Sequence, residues 1–364
     1  MSSSQMQPCD LIVFGTGQFA GRIVFDLAAT TKTPIEVVIA GRNAERLDWL
    51  TTAANARAFM FGCPARFTSA ALDVTDAAAI AALLQKKRPR LAVQTASSQP
   101  SAVISDSGNA WSRLVAEGGL SVTAVSQAVL SIKVGEAIKA AGIDCALINC
   151  CFPDVVNAML AARGIKVLCG TGNVAILSNA FSGAMAERNQ RLQVLAHYQQ
   201  LGAWRQAAGQ RSGQAPRVWI DGREIQDVFA EFAHLKLTRE PAIEISGASG
   251  VTLMQAFVAG LEWRGHAPGP NGLPGGYPVR LVQGELQLDL PEGIGAEEAI
   301  AWNAAFESKS GLIVRQDGHA TYTGATKSRL AAHGFDYSDG FHVSQIEDVS
   351  GELDRLRKRL EMTG

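Results

Sequence analysis

The apolar run Leu11–Phe14 leads directly into Gly15-Thr-Gly17-Gln-Phe-Ala20-Gly21, and this junction restricts the fold more than any other stretch. A strand that ends in G-x-G-x-x-A and opens a helix needs a tight turn at Gly15. It also needs bare backbone at Gly17 and small residues at Ala20 and Gly21, where helix and strand pack. The unpaired N–H groups and positive dipole end of such a helix attract phosphate. Gly15, Thr16, Gly17, Gln18, Phe19 and Ala20 therefore form the expected cradle of a dinucleotide pyrophosphate. Glycine supplies 36 of the 364 residues, above the usual ~7%, so the backbone has other places to bend or be approached.

The stretch that follows repeats the strand–helix alternation. The pattern predicts a helix over Gln18–Ala29, a strand at Glu36–Ala40, a helix near Ala44–Ala54 and a weaker strand near Phe67–Leu72. Thr75 or Asp76 can cap a helix that runs to Lys87 and stops at Pro89. Further strands are expected at Leu91–Thr95, Leu120–Ala124 and Ile143–Ile148, with helices near Ser107–Glu117 and Gln127–Ala141 and a glycine C-cap at Gly142. Strands apolar throughout and separated by helices imply a parallel sheet covered on both faces. The fold class expected is α/β: a Rossmann domain over residues 1–150, then a substrate-binding α+β domain on a mixed or antiparallel sheet over 151–339. The segment 340–364, with Leu353, Leu356 and Leu360 on one helical face, is expected to pack back on a domain.

Cofactor choice is read at the end of the second strand, where an NAD enzyme usually places a carboxylate. Here the chain has Ala40-Gly41-Arg42-Asn43, with Arg46 one turn later. A guanidinium in place of a carboxylate favours the extra phosphate of NADP(H). Asp73 and Val74 would flank the adenine. Ala96, Ser97 and Ser98 would line the nicotinamide side.

The segments GTGQFAGR, VVIAGRN, ALDVTD and LAVQTASS, in this order and spacing, resemble the N-terminal part of saccharopine dehydrogenase-like oxidoreductases. The resemblance covers about the first 150 residues. It implies a Rossmann domain, a nicotinamide cofactor and a second α/β domain closing over the substrate. It also suggests hydride transfer to an imine formed from an amino acid. Family members often carry a Gly-x-Asp-Pro-Gly-like turn after the strand at Ile143–Ile148. This chain departs from it with Asn149-Cys-Cys-Phe-Pro153-Asp154.

Beyond residue 150 the pattern changes to short, alternating strands. Arg217–Ile225 reads as a hairpin about an Asp221-Gly222 type I′ turn, and Leu281–Leu290 as one half-exposed strand. Between them, His266–Pro278 is so rich in Gly and Pro that it reads as a lid or binding loop. His266 has an unperturbed pKa near ~7 and Tyr277 a hydroxyl, so either could donate a proton. Arg280 could fork onto a substrate carboxylate. Asn149, Asp154 and Asn157 could contact a polar substrate, Asp154 alternatively serving as a helix N-cap. Cys150 and Cys151 have no fixed-spacing histidine and suit a buried role better than a nucleophile. His197 beside Tyr198 is a weaker candidate.

Lys plus Arg (33) against Asp plus Glu (34) leaves a net charge of −1, which provides no global field for nucleic acid or an anionic membrane. Six cysteines without C-x-x-C spacing argue against a zinc site or disulfide framework, and no apolar stretch reaches membrane-spanning length. No basic–apolar leader is apparent either, so a cytoplasmic protein is expected. G-x-x-x-x-G-K-[ST], H-E-x-x-H and G-x-S-x-G are not found. The reading is an NADP(H)-dependent oxidoreductase acting on a C=N or C=O bond of a small carboxylate-bearing substrate, in a chain apolar enough to form a homodimer. Two alternatives stay open: reduction of an activated C=C in a lipid-like substrate, and a non-catalytic NADP-binding sensor or assembly protein.

Overall fold

The computed structural model describes residues 8–99, 108–185, 189–238 and 242–362. Six strands form one parallel sheet: β1 (Leu11–Phe14), β2 (Ile35–Gly41), β3 (Ala65–Ala71), β4 (Leu91–Gln94), β5 (Ala146–Asn149) and β6 (Val167–Cys169). Their order is β3-β2-β1-β4-β5-β6, the doubly wound Rossmann arrangement. The strand order reverses between β1 and β4, so the crevice for a ligand opens at their carboxyl ends. Phe14 is level with Ala40 on one side and Gln94 on the other, which sets Gly15, Gly41 and Thr95 side by side along that edge.

The helices form where capping and burial agree. Helix α1 (Gln18–Thr30) follows β1, and α2 (Ala44–Met60) is capped by Asn43, whose side chain accepts the Arg46 N–H. Of the two expected caps for α3 (Ala77–Lys87), Asp76 is the one used. Helix α4 (Ala110–Gly118) begins after Asn109; the expected start at Ser107 lies outside the described residues. Helix α5 (Ala124–Ala141) ends at Gly142 with φ +63°. The strand expected at Leu120–Ala124 is instead a 3₁₀ turn over Leu120–Thr123 that runs into α5. Its β-branched Val122 and Thr123 mimic a strand, but they are buried between helices.

The sheet does not end at residue 150. Its sixth strand, only three residues long, follows α6 (Pro153–Ala162) and leads to α7 (Val174–Ala184). Apolar cores lie on both faces, with Ile12 and Phe14 in one, Leu11 and Val13 in the other. The second core continues into Tyr277, Val279 and Leu281, so the two halves of the chain share it.

Among the described residues, the second half carries three three-stranded antiparallel sheets. β7 (Leu192–Leu195), β8 (Arg217–Ile220) and β9 (Arg223–Glu224) form the first, with the expected turn at Asp221 and Gly222, both at positive φ. Helix α8 (Val251–Ala259) precedes the second, made of β10 (Trp263–Pro268), β11 (Gly276–Val282) and β12 (Glu285–Leu288). The stretch read as one strand, Leu281–Leu290, is thus two strands joined at Gln283-Gly284. The expected lid, His266–Pro278, is mostly this hairpin. His266 pairs with Pro278, and only Gly269–Gly275 connects the strands. Gly269 has φ +57°, and a Cβ there would lie 2.4 Å from the Pro153 carbonyl, so the connection is packed against α6.

Helix α9 (Ala296–Lys309) and the third sheet, β13 (Gly311–Val314), β14 (His319–Thr323) and β15 (Phe341–His342), come next, with α10 (Gly324–Ala332) between β14 and β15. The terminal helix α11 (Ile346–Glu361) buries Ile346, Val349, Leu353, Leu356 and Leu360 and packs on α5 of the Rossmann half. Each such side chain contributes roughly 1.5–3 kcal/mol on full burial.

Candidate functional site

The carboxyl edge of the sheet carries two sets of groups, one made of backbone and one of buried side chains. At the β1–α1 junction Gly15 has φ +122°, and a Cβ on it would lie 2.3 Å from the Thr95 hydroxyl. Gly41, the last residue of β2, meets the Thr16 side chain as closely, at 2.6 Å. The turn is therefore wedged between the ends of β2 and β4. Arg46 secures it further by donating from Nε to the Thr16 carbonyl at 3.1 Å.

Gly17 differs from both. A Cβ there would meet nothing within 4 Å among the described residues, and Gly17 is exposed, so its backbone faces open space. Gly17 is the N-cap of α1, no side chain caps that end, and the first turn, with Gln18, Phe19 and Ala20, holds no acidic residue. The unpaired N–H groups of such a helix start leave a positive end facing the opening. These features fit a pyrophosphate.

Arg42 directly follows β2 and is exposed, while Asn43 is spent as the α2 cap. Asp73 is exposed after β3, and its carboxyl lies below its ordinary value because the Thr75 N–H and hydroxyl donate to it. Arg42 adds a smaller pull on it. Val74 is buried in the core. Beyond β4, the Ala96 carbonyl accepts from Gln94 and from the Cys151 thiol, and Ser98 donates to the Ser126 carbonyl at 2.6 Å. Ser97 lies between them and is partly exposed.

The second set lies past the ends of β5 and β6. Asn149 is fully buried and internally satisfied. Its Nδ2 donates to the Cys151 carbonyl and Asn157 Oδ1, and its Oδ1 accepts from Ser131 Oγ and the Cys151 N–H. Asn157 Nδ2 donates to the Gly269 carbonyl at 2.9 Å. Both asparagines brace loops through these bonds.

Asp154 is buried too and is not the N-cap of α6; Phe152 holds that position. Asp154 Oδ2 accepts from the Asn173 amide, whereas Oδ1 has no hydrogen-bond partner among the described residues. Burial raises its carboxyl above the ordinary value, against the opposing pulls of His197 and the Asn173 amide. His197 is buried between β7 and the following 3₁₀ turn. Its Nε2 faces Glu307 Oε1 of α9 at 3.1 Å, an ion-pair distance outside hydrogen-bond alignment, and neither atom has another partner among the described residues. The other Glu307 oxygen accepts from the Leu312 N–H at 2.6 Å and from Ser121 Oγ at 3.2 Å. Tyr198 OH reaches the same serine at 3.0 Å.

Tyr277 borders this cluster. It is buried, its hydroxyl donates to the Pro274 carbonyl at 2.6 Å, and burial pushes its pKa up, with Asp154 adding to the rise. The structure thus groups Asp154 and Tyr277 with His197 and with Glu307, which sequence reasoning missed. Glu307 has no local motif and reaches the cluster only through the packing of α9.

The other expected residues lie elsewhere. Arg280 is on the outward face of β11 and exposed. His266 Nε2 accepts the Val194 N–H at 2.9 Å, and burial presses its pKa down to about 4, so the ring is neutral at pH 7 and is no longer tuned as a general acid there. Burial pushes the Cys150 thiol up to about 12 and the Cys151 thiol also upward, which removes the thiolate a nucleophile needs. Among the described residues no group of three or more His, Cys, Asp or Glu could hold a metal ion, and no helix is long and apolar enough to cross a membrane.

The chain matches no protein-family model and no curated protein. Solved structures with a similar course include malate dehydrogenase from Cryptosporidium parvum, at 12% identity over 82% of this chain and 96% of that one, with a TM-score of 0.48. Lactate dehydrogenase from Eimeria maxima with NADH and oxamate is similar at 11% identity, over 84% and 95%, with a TM-score of 0.48. Malate dehydrogenase from Salinibacter ruber follows at 13% identity, over 96% and 99%, with a TM-score of 0.45. The order of the six strands, and not this likeness, assigns the Rossmann fold.

Proposed function

We propose that this chain is an NADP(H)-dependent oxidoreductase that transfers hydride to a C=N or C=O bond of a small, carboxylate-bearing, amino-acid-derived substrate. The observation that carries the reading is the uncapped, acid-free start of α1 with Gly17 open to solvent, placed at the point where the strand order reverses. Backbone at Gly15–Ala20 would hold the pyrophosphate, Arg42 the 2′-phosphate, and Ala96–Ser98 the nicotinamide side. When bound, the nicotinamide supplies the hydride. The restriction to an imine derives from the N-terminal resemblance to saccharopine dehydrogenase-like oxidoreductases.

The chain's own contribution is to orient the substrate and hold a proton. Asp154, with its raised carboxyl, and the His197–Glu307 pair are the groups we assign to the proton. A perturbed carboxyl beside an imidazole at a strand carboxyl edge fits acid–base work. A second reading is favoured by one observation. Asn149, Asp154 and Tyr277 are all buried, as in a dinucleotide-binding protein without turnover. Oxidation of NADPH by the purified chain, screened against single carbonyl compounds and mixtures of amino acid and keto acid, separates the two. Turnover with a keto acid plus amine supports the reductase, and no turnover with any carbonyl or imine supports the binding protein.

A further inference from the structure

A cleft of about 490 Å³ lies between α7, β7, the start of α8 and β10, and it contains none of the residues of the dinucleotide crevice. Its ionisable lining is small: Arg191, Arg264, Asp289 and His266. Asp289 Oδ2 is 2.9 Å from Arg191 Nη2 and 4.0 Å from Arg264 Nε, so one carboxylate faces two guanidiniums and one positive charge is left over. His266 adds a donor. Its Nε2 is taken as an acceptor by the Val194 N–H, so the neutral ring carries its proton on Nδ1. Trp263 donates its indole N–H to Thr252 Oγ1 at 3.0 Å, which fixes the ring as an apolar wall of the cleft. Surplus positive charge, planar donors and an aromatic wall together match a carboxylate on a short carbon chain.

We propose that this cleft is a second small-molecule site, which binds a small organic carboxylate through Arg191, Arg264 and His266 independently of the dinucleotide. The site lies on the second half of the chain, beside Ser249, whose hydroxyl accepts the Gly172 N–H at 3.0 Å just past β6. Its occupant would therefore brace α7 and β10 against the end of the sheet.

The test is calorimetric titration of the full chain, without dinucleotide, using propionate and L-alanine as probes and inorganic phosphate as the competing anion. The expected result is saturable binding of at least one carboxylate. Arg264→Gln should weaken it about tenfold, the effect of losing one charge-assisted hydrogen bond. Among the described residues the Arg264 side chain makes only the 4.0 Å contact with Asp289, and it is mostly exposed, so its loss spares the fold. Ser182→Asp, which places a negative charge in the cleft lining and disturbs no side-chain hydrogen bond among the described residues, should weaken binding by a similar factor. Unchanged thermal unfolding of both variants would separate this effect from misfolding. No saturable binding of either carboxylate, or unaltered affinity in both variants, would overturn the proposal. Phosphate binding as tightly, with the same arginine dependence, would overturn the assignment to carboxylates.

Discussion

The two regions along the carboxyl edge of the sheet are built on opposite principles. The β1–α1 turn is a backbone site: Gly15, and Gly41 beside it at the end of β2, are shaped by close neighbours, and Gly17 is left open. The Asp154–His197–Glu307 cluster is all side chain, buried, and short of hydrogen-bond partners. A backbone site is fixed by local geometry and tolerates little at its hinges. A buried polar cluster is held by elements far apart in the chain and costs stability when any member goes. The contrast gives variants of the two regions different signatures.

The largest effect is expected in the cluster. Glu307→Ala removes the acceptor for the Leu312 N–H and leaves His197 without its carboxylate, so unfolding free energy should fall by about 3–5 kcal/mol in chemical denaturation. A loss below ~1 kcal/mol, the scale of exposed pairs, would mean that the cluster is wetter than its burial indicates.

Within the turn, Gly15 and Gly17 should separate. Gly15→Ala forces a Cβ against Thr95 at a positive φ, and that backbone strain alone costs of order 1–3 kcal/mol. Gly17→Ala meets no neighbour, so its thermal midpoint should stay near the wild-type value while dinucleotide affinity drops. Equal dinucleotide affinity in Gly17→Ala and wild type would show that the open face is not where the pyrophosphate lies.

A smaller effect concerns pH. The folded-state pKa of Asp154 is raised above its ordinary value of 3.8, so the folded chain keeps a proton that the unfolded chain has lost. Stability associated with this group is fully present below 3.8 and declines as pH rises through the folded value. Asp154→Asn abolishes that decline. Subtracting the variant's stability–pH profile from that of the wild type should leave a difference that falls with rising pH above 3.8, and a rising difference would contradict the assignment.

The same contrast explains what the sequence disclosed. The Rossmann half was readable because its signals are local: apolar LIVF, then glycines, then a helix, with Asn43 and Asp76 as caps. Val167–Cys169 escaped notice because three residues carry no periodicity. His266–Pro278 misled for a specific reason. Gly and Pro normally interrupt strands, yet here Pro268 and Pro278 sit within a hairpin whose connection needs positive φ at Gly269, Asn271, Gly272 and Gly275. Arg280 looked like a substrate ligand, but alternation along β11 turns it outward while Tyr277 and Val279 face the core. Glu307 could not have been found from the sequence alone, because its partners His197 and Ser121 lie 110 and 186 positions away.

The most direct test of the central claim is equilibrium titration of the purified chain with NADPH and with NADH, repeated on Arg42→Asp. The account predicts that NADPH binds about 10- to 100-fold more tightly than NADH, the effect of one or two charge-assisted hydrogen bonds. Arg42→Asp should erase most of that preference while NADH affinity is kept or improved. Equal affinity of the wild type for the two dinucleotides, or an undiminished preference in Arg42→Asp, would contradict it.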